Sequence, residues 1–265
     1  MPEVVGPCNG AQDLCDRRFD QIAFATTHNS MSNEDDNWLN PNHRHGIQKQ
    51  MQDGVRAFML DLHYWEDQVM MCHWICAMGS TLFGMKPLET ALAEMKQFLE
   101  ENPGEVLVII FESYVSASDV EAVFDAAGFS ERVYSHSQGR PWPTLSRLIA
   151  SGKRLVVFSD DESTTADWHH PVWDHCWETD YDIQGVEQFN CEVNRGSTDN
   201  DLFILNHFIS NPHASEEWAA QANEFDVLYS RATGCFEDTG QLPNFITVDF
   251  YSIGDVMAVV EQLNK

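Results

Sequence analysis

The sequence predicts one α/β domain in which a mostly parallel sheet closes, or nearly closes, into a barrel. Short apolar runs alternate with amphipathic stretches along the 265 residues, a pattern typical of buried strands followed by helices. About seven such runs fit a barrel better than an open sheet, and no GxGxxG motif follows an early run, which argues against a dinucleotide-binding fold. Because no repeat or linker divides the chain, we predict a single domain over residues 1–265.

The predicted strands are runs rich in Val, Ile and Phe that are bounded by Gly, Pro or Asn residues. They cover residues 22–25, 55–62, 106–111, 155–158, 202–208, 225–228 and 245–251. A further strand at residues 69–72 is predicted to return from a turn at residues 66–68. Residues 160–200 break the alternation because they are polar and Trp-rich, and we predict a long irregular loop or insertion there.

Helices are predicted where apolar side chains recur on one face between recognisable end signals. Pro87 suits the first position of a helix that stops at residues 102–104. Ser118 opens a capping-box pattern, and the helix that follows is expected to end at Gly128. The remaining predicted helices cover residues 144–149, 215–222 and 254–263.

The charge of the chain excludes one class of partner. With 15 basic and 42 acidic residues the net charge is −27, and so acidic a surface repels a phosphate backbone. We therefore predict that the protein binds no nucleic acid, and we expect a monomer. No apolar run reaches the length of a membrane span, so any contact with lipid is expected to be peripheral and not transmembrane.

Seven cysteines and the absence of a CxxC pair favour disulfides over a zinc site. The spacing suits two small loops, Cys8 with Cys15 and Cys72 with Cys76, and it allows a third, Cys176 with Cys191, with Cys235 left over. The sequence alone leaves this pairing open. Spaced cysteines in an acidic, Lys-poor chain indicate an oxidising compartment, and so a secreted protein. The first residues lack the basic and apolar regions of a signal peptide, so we expect that any such signal has been removed from this chain.

Polar residues follow nearly every predicted strand. In a parallel barrel the carboxyl ends of the strands meet at one mouth, where functional groups gather. The residues at these ends are His28, Asn29, Asp61, His63, His73, Glu112, Asn206, His207 and Asp249. A single polar residue there is commonly only an exit to solvent, but so many together predict a site. Alternation places Met59, Asp61 and His63 on one face of the second strand.

Two histidines beside a few side-chain oxygens suit proton transfer at a phosphate ester. A neutral His can take a proton from an attacking hydroxyl while a protonated His gives one to a leaving oxygen. Asn29, Asp61 and Glu112 offer the hard oxygen ligands that Ca²⁺ prefers. Such an ion would neutralise charge that develops on a phosphate, and so small a ligand set predicts weak, substrate-assisted binding.

The ordered stretches THNSMS, GVRAFMLDLH, CHW and EVLVIIFES resemble the X domain of phosphatidylinositol-specific phospholipases C. The stretches CNGAQDLCDRRF, NPGEVLVIIFESY and PNFITVDFY are similar to its secreted, single-domain relatives in particular. The resemblance covers most of the chain, from about residue 8 to the final helix, and residues 160–200 are its least recognisable part. It implies a distorted TIM (β/α) barrel and a phosphodiesterase that cleaves phosphatidylinositol to diacylglycerol and a cyclic inositol phosphate.

The resemblance also implies roles for individual residues. His28 matches the general base that takes the proton of the inositol 2-hydroxyl, and His73 matches the general acid for the diacylglycerol oxygen. Asp249 is a candidate to orient His28 through its other ring nitrogen. A backbone-bonded structural role for Asp249 is an equal alternative.

Calcium-dependent members use an Asn after the first His, a Glu-x-Asp on the second strand and a later Glu. Asn29, Asp61 and Glu112 match three of these four ligands, whereas Met59 stands where the fourth is a carboxylate. Metal-independent bacterial members use an arginine near the end of the second strand, where this chain has Asp61 and His63. We therefore favour Ca²⁺ as the cofactor, with one ligand missing.

Two other functions remain open on the same fold. The substrate is either an inositol lipid at a membrane surface or, alternatively, a glycerophosphodiester or glycosylphosphatidylinositol anchor. The departure at Met59 also leaves a catalytically silent secreted binding module as an alternative. Residues 43–45 are predicted to be solvated. The group His169, His170, His175 and Cys176 is predicted to have a lidding or a structural role. One or two of the tryptophans near the mouth are candidates for membrane contact, namely Trp65, Trp74, Trp142, Trp168, Trp173 and Trp177.

Overall fold

Nine strands form a curled, mostly parallel sheet in the computed structural model of the chain, which describes residues 6–73, 76 and 84–265. The strand order is β7-β6-β5-β2-β1-β11-β10-β8-β9, and β3 and β4 continue from β2 outside this path. Among the described strands, β7 and β9 end the path without pairing to each other, so the barrel has a seam there. The predicted α/β barrel of the TIM type is confirmed, with this distortion.

The strand bounds follow the predicted apolar runs closely in the first half of the chain. The strands are β1 (Phe24–Thr27), β2 (Ala57–Trp65), β3 (Gln68–Met71), β4 (Lys86–Pro87), β5 (Leu107–Ser113), β6 (Leu155–Ser159), β7 (His169–Pro171), β8 (Cys176–Thr179), β9 (Val193–Gly196), β10 (Leu202–Asn206) and β11 (Phe245–Val248). Only the pairs β2–β3, β3–β4 and β8–β9 are antiparallel among these.

Helices cover the outside of the sheet. They are α1 (Ile47–Gln52), α2 (Leu88–Glu101), α3 (Ala117–Ala126), α4 (Leu145–Ser151), α5 (Glu216–Ala222), α6 (Phe225–Thr239) and α7 (Val256–Leu263). The strand predicted at residues 225–228 is wrong, because these residues form the first turn of α6. Glu224 caps that turn by accepting a hydrogen bond from the Val227 amide, and the buried residues Leu228, Ala232 and Cys235 then recur at helical spacing.

Alternation along each strand divides the apolar side chains into two layers. Phe24, Val108 and Phe245 belong to the cluster inside the barrel, while their neighbours Ala25 and Ile109 belong to the cluster under the helices. The interior is filled, as the 5.9 Å contact between the Phe24 and Phe245 rings illustrates. Within the barrel, the cavity at the mouth therefore lies above these packed side chains.

Residues 160–200 are not one irregular loop, and that part of the prediction is corrected. They contain β7 and β8, which extend the parallel sheet, and β9, which pairs antiparallel to β8. These strands have three or four residues each, and they carry polar side chains such as His170, Glu178 and Arg195. So short and polar a strand gives no apolar run, which explains why the pattern was missed.

The histidines of this segment are buried. His170 donates through Nδ1 to the Val157 carbonyl and accepts at Nε2 from the His136 amide, with distances of 2.9 and 2.8 Å. Burial lowers the pKa of both His170 and His175 to about 4, so both rings are neutral near pH 7. The predicted structural role of these side chains agrees with this packing. In the described residues no group of three or more His, Cys, Asp or Glu side chains is arranged to hold a metal ion.

The tryptophans proposed for membrane contact are mostly enclosed. Trp142 and Trp177 are buried, Trp65, Trp168 and Trp173 are partly buried, and Trp74 lies outside the described residues. Within the described residues no helix is long and apolar enough to cross a bilayer.

The disulfide framework corrects one of the three expected pairs. Cys8–Cys15 and Cys72–Cys76 are bonded as the spacing suggested. The third disulfide joins Cys191 to Cys235, so Cys176 is the free thiol, and it is buried. Cys176 points into the barrel-interior cluster from β8, whereas Cys191 follows a turn that brings it against α6. The expectation that neighbouring cysteines pair therefore failed for the third disulfide, because it joins residues that are 44 positions apart in the sequence.

This pairing predicts a specific labelling result. Under denaturing, non-reducing conditions the protein should take up one alkyl group, and peptide mapping should place it on Cys176. The double variant Cys191→Ser/Cys235→Ser should lose about 4 kcal/mol of unfolding free energy, since the loop it opens is long. Opening the short Cys8–Cys15 loop in the same way should cost about 2.5 kcal/mol in denaturant titration. Alkylation on Cys235 would contradict the structure.

Candidate active site

A cavity of about 270 Å³ opens at the mouth of the barrel. Side chains from the ends of six strands line it: His28, Asp61, Glu112, Asp160, Glu178 and Asn206. The cavity also contains Met59 and the aromatic rings of Tyr114, Trp173, Tyr181 and Phe208. Four of the nine residues predicted from strand ends, His28, Asp61, Glu112 and Asn206, therefore line one cavity, as the carboxyl ends of parallel strands should.

His28 is held by Asp249 on the neighbouring strand. β1 pairs with β11 so that Thr27 lies beside Val248, and the two side chains that follow meet at the mouth. His28 Nδ1 is 3.1 Å from Asp249 Oδ1, and the imidazole ring stacks on Phe208 at 3.9 Å. With its proton on Nδ1, the ring presents Nε2 to the cavity as a base.

Two residues of the loop after β1, Asn42 and His43, hold His28 and Asp249 in place by hydrogen bonds. Asn42 Nδ2 donates to Asp249 Oδ1 at 2.8 Å, and His43 Nε2 donates to the His28 carbonyl at 2.7 Å. His43 is fully buried, and burial lowers its pKa to about 4. The expectation that His43 is solvated is wrong, because a loop that is polar in sequence folds beneath the catalytic histidine candidate.

Asn29 brings the second histidine into the same site. One end of its amide group lies 3.1 Å from His28 Nε2 and 3.5 Å from His73 Nε2. His73 follows β3, which reaches the mouth as the return strand of the β2–β3 hairpin. Two histidines 45 positions apart along the chain thus converge around one side chain.

The surroundings of His73 favour its neutral form. Burial, together with the nearby His28 and His213 and against the opposing charges of Asp249 and Glu112, lowers the pKa of His73 to about 4. A general acid must carry a proton, so His73 could act as one only with an additional negative charge beside it. A bound phosphodiester would supply that charge and raise the pKa.

Asp61 and Glu112 are direct neighbours in the parallel register of β2 and β5. Asp61 is buried, and burial together with the charges of Glu112 and Asp160 raises its pKa well above the usual range. Glu112 lies nearer the solvent, where the Tyr114 hydroxyl donates to it. Carboxyl groups placed this close repel each other unless a proton or a cation is shared between them.

The other end of the Asn29 amide lies 3.0 Å from both Asp61 oxygens. If this end is the amide oxygen, three oxygens converge without a donor, which is the arrangement around a hard cation. If the amide is turned by 180°, its nitrogen donates to Asp61 and its oxygen accepts from His28 Nε2. In the first orientation Asn29 and Asp61 fit a Ca²⁺ ion, and in the second Asn29 satisfies Asp61 by hydrogen bonds; Glu112 lies beside Asp61 on the neighbouring strand in both. Met59 offers only a thioether on the same face.

The cavity also contains groups that the sequence analysis missed. Asp160 directly follows β6, so applying the strand-end rule to that run would have found it. Arg195, on β9, gave no such signal because its strand is antiparallel and lies in the unrecognised segment. Asn29, His73 and Asp249 do not line this cavity but surround His28, whereas two other strand-end residues lie apart: His63 stacks on Tyr114 at 4.4 Å, and His207 is buried, donating to the Ala222 carbonyl.

A smaller cavity of about 160 Å³ lies on the other side of His28. It contains His73 and His213 together with the apolar side chains of Leu39, Pro212 and Ala214. His28 therefore lies between a charged cavity and one with a partly apolar wall, and His73 lines the second. Leu39, at the rim, is half exposed.

Comparison with known proteins agrees with this architecture. The sequence pattern of the family described as PI-PLC X 1 matches residues 14–264. An uncharacterized secreted protein of Arthroderma benhamiae is 27% identical over 99% of this chain, and a PI-PLC X domain-containing protein of Arabidopsis thaliana is 27% identical over 93%. The chain spans 64% and 62% of the length of these two relatives.

Among solved structures, a phosphatidylinositol-specific phospholipase C from Staphylococcus aureus has a similar fold. The two superpose with a TM-score of 0.63 at 16% sequence identity, covering 95% of each chain. At this identity the likeness shows the fold alone.

The burial of Asp61 and the repulsion by its neighbours predict that Asp61→Asn stabilises the protein without calcium. The pKa of Asp61 is higher in the folded protein than in the unfolded chain. The free energy of unfolding therefore falls as the pH rises from the unfolded-state pKa through the folded-state pKa, because the folded protein disfavours the ionised carboxylate. The variant lacks this loss, so its advantage in unfolding free energy should grow from pH 4 to pH 7.5 and exceed about 1 kcal/mol. Urea titrations at both pH values measure it. Asp167→Asn, an exposed change of the same charge, should show no such trend; a destabilised Asp61→Asn would contradict the account.

Proposed function

The chain belongs to the PI-PLC X family, and from this membership and the site we propose that it is a phosphodiesterase that cleaves phosphatidylinositol. The observation that carries the proposal is the pair His28 and His73, which meet around Asn29 at the cavity mouth with Asp249 behind His28. The ring of His28 is oriented as a base, and His73 lies where the negative charge of a phosphate would raise its pKa and favour its protonated form.

The proposed reaction is an internal displacement at phosphorus. The head-group 2-hydroxyl oxygen attacks phosphorus while its proton passes to His28 Nε2, and Asp249 stabilises the imidazolium that forms. The bond from phosphorus to the glycerol oxygen breaks, and His73 gives that oxygen its proton. The products are diacylglycerol and a cyclic inositol phosphate. The smaller cavity beside His73, with Leu39 and Pro212 in its wall, suits the leaving group.

We propose that Asn29 and Asp61, with Glu112 beside them, hold a calcium ion in the active complex. When bound, Ca²⁺ would neutralise charge that develops on the phosphate. Asp61 and Glu112 otherwise face the substrate's negative charge with no compensation from Met59, which replaces a carboxylate in the calcium-dependent pattern. Water and substrate oxygens would complete so small a ligand set.

We propose an extracellular protein, acting as a monomer, that reaches its lipid from the water phase. Three disulfides support an oxidising compartment, and one relative is named a secreted protein. Three large side chains that line the mouth cavities are about half exposed: Leu39 at 50%, Tyr114 at 59% and Tyr181 at 45%. Exposed apolar side chains around a lipid-cleaving site favour peripheral contact with a membrane.

The histidine pair is tested by substitution. His28→Ala and His73→Ala should each lower the release of inositol phosphate from phosphatidylinositol by about 10²-fold or more, because each removes a proton-transfer group. His45→Ala, a change at a partly exposed histidine outside both cavities, is the matched control and should retain activity. If the wild type cleaves a soluble glycerophosphodiester and no inositol lipid, the alternative substrate is correct; a lack of turnover on any diester would favour a binding module.

Calcium is tested by binding as well as by activity. Ca²⁺ should raise the melting temperature of the wild-type protein in a concentration-dependent way, since a ligand of the folded state stabilises it. Asp61→Asn should abolish that rise, while Asp167→Asn should keep it. A chelator should lower activity on phosphatidylinositol by at least roughly tenfold. Full activity in chelator, with no thermal shift, would refute the metal.

A further inference from the structure

Side chains join the two sides of the seam, where the described strands form no backbone ladder. His170 lies on β7 on one side, and His175 directly precedes β8 on the other. Their ring centroids are 5.2 Å apart. His136, from the loop before α4, lies 5.7 Å from His175, again between ring centroids. These three residues, which we call the seam histidines, therefore connect β7, the crossing at residues 172–175 and the loop before α4.

His170 makes its two hydrogen bonds only as a neutral ring. Its Nδ1 donates to the Val157 carbonyl of β6 at 2.9 Å, and its Nε2 accepts from the His136 amide at 2.8 Å. A proton on Nε2 would turn that acceptor into a donor that faces an N–H group. Protonation of His170 therefore breaks the bond that holds the loop before α4 against β7.

The other two seam histidines lie in an aromatic enclosure. His136 stacks on the Trp142 ring at 3.7 Å, and His175 lies 5.9 Å from the Trp142 ring and 6.0 Å from the Phe158 ring. Both histidines are buried, and within the described residues Nε2 of His136 has no hydrogen-bond partner. Ionising either ring is unfavourable in such surroundings, because a buried charge loses its hydration.

Burial controls the charge state of all three rings. It lowers the pKa of His136 although the charges of Asp20 and Asp201 oppose it. Together with repulsion from neighbouring histidines, burial lowers the pKa of His170 and of His175 to about 4. The other titratable or charged groups of the elements packed against the cluster are Arg18 paired with Asp20, His169 paired with Glu121, Arg195 paired with Glu178, the exposed Arg140, Arg147 and Asp174, Tyr134, Asp160 and the buried Cys176 thiol.

The crossing at residues 172–175 also forms part of the mouth. Val172 and Trp173 line the larger cavity, and the Trp173 ring lies 4.5 Å from the Arg195 guanidinium group. Asn200 Nδ2 donates to the Trp173 and Cys176 carbonyls at 2.8 Å each, so a group that does not titrate ties the crossing to β8. On the other side β7 pairs with β6 over only three positions. Loss of the histidine contacts therefore frees the crossing from the β7 side and not from β8.

From this geometry we propose that the seam histidines are an acid-operated closure of the barrel, which holds residues 169–175 in place when uncharged and releases them when protonated, while the rest of the barrel stays folded. Release withdraws Val172 and Trp173 from the wall of the mouth cavity. The cavity is therefore complete near neutral pH and open along the seam in acid. This behaviour belongs to the folded chain itself and does not depend on the ligand or the reaction of the site.

The direction of the pH dependence follows from burial. The pKa of each seam histidine is lower in the closed form than the value of about 6.5 that an exposed imidazole has. The closed form is therefore fully favoured above about pH 6.5, and its advantage falls as the pH drops toward the closed-state pKa, because the open form binds more protons. Since more than one ring takes up a proton, the equilibrium constant for opening should rise by more than about tenfold for each pH unit.

Hydrogen–deuterium exchange of the full chain tests the closure in the absence of any ligand. After correction for the intrinsic pH dependence of exchange, the amides of residues 169–175 should exchange at least roughly tenfold faster at pH 4.5 than at pH 7.5. Residues 107–113 of β5 should remain protected at both pH values, and a return to pH 7.5 should restore the protection of the seam. A seam that stays protected at pH 4.5 would refute the proposal, and so would a seam that opens only together with β5.

Two variants remove a proton-binding ring and keep an aromatic side chain. His136→Phe and His175→Phe should each lower the ratio of acid to neutral exchange rates by at least roughly fivefold, since each removes one linked proton. His45→Phe, at a partly exposed histidine outside the seam, is the matched control and should keep the wild-type ratio. Wild-type ratios in both seam variants would refute the role of the histidines.

The wild-type protein decides the matter alone if the seam variants do not fold. Its exchange rates are measured in small steps between pH 6 and pH 5. An opening constant that changes by about tenfold or less over this pH unit would show that fewer than two rings are linked to the opening, and it would overturn the proposal. A steeper change, confined to residues 169–175, supports it.

Discussion

The parallel register of the central strands is the constraint on which the site depends. Thr27 pairs with Val248 and Asp61 pairs with Glu112, so residues far apart in sequence leave the sheet side by side. His28 and Asp249 are simply the next residues after one of these pairs. A shift of one residue in either register would turn the alternating side chains to the other face of the sheet, and the cavity would lose its lining.

The cost of this arrangement is electrostatic. Placing the ends of β2, β5, β6 and β8 around one mouth brings four carboxyl groups together, and burial, with the repulsion between these groups, raises the pKa of Asp61 and Asp160. Groups that destabilise a fold persist where they serve binding or chemistry. Glu178 is paired with Arg195, and the other three carboxyl groups can bind a cation, a proton or the hydroxyls of a ligand.

The seam between β7 and β9 explains how a short segment can supply so much of the site. A fully closed barrel would pair its last strands and bury their edges, but here β9 turns back antiparallel on β8. This reversal carries Arg195 to the mouth from the edge of the sheet. The Cys191–Cys235 disulfide ties the start of β9 to α6, so the hairpin is anchored to the body of the barrel.

The sequence by itself determined the barrel, the strand ends and the identity of most polar residues at the mouth, because alternation and strand-end position are local patterns. His28, His73, Asp61, Glu112 and Asp249 could all be named from those patterns and from the family resemblance. Only the tertiary structure decided which of them meet, that Cys191 bonds Cys235, and that the run 225–228 is helical. It also revealed the buried His43 and the guanidinium of Arg195. These features depend on contacts between distant segments, and neither short polar strands nor a buried loop histidine leaves a periodic signal in the sequence.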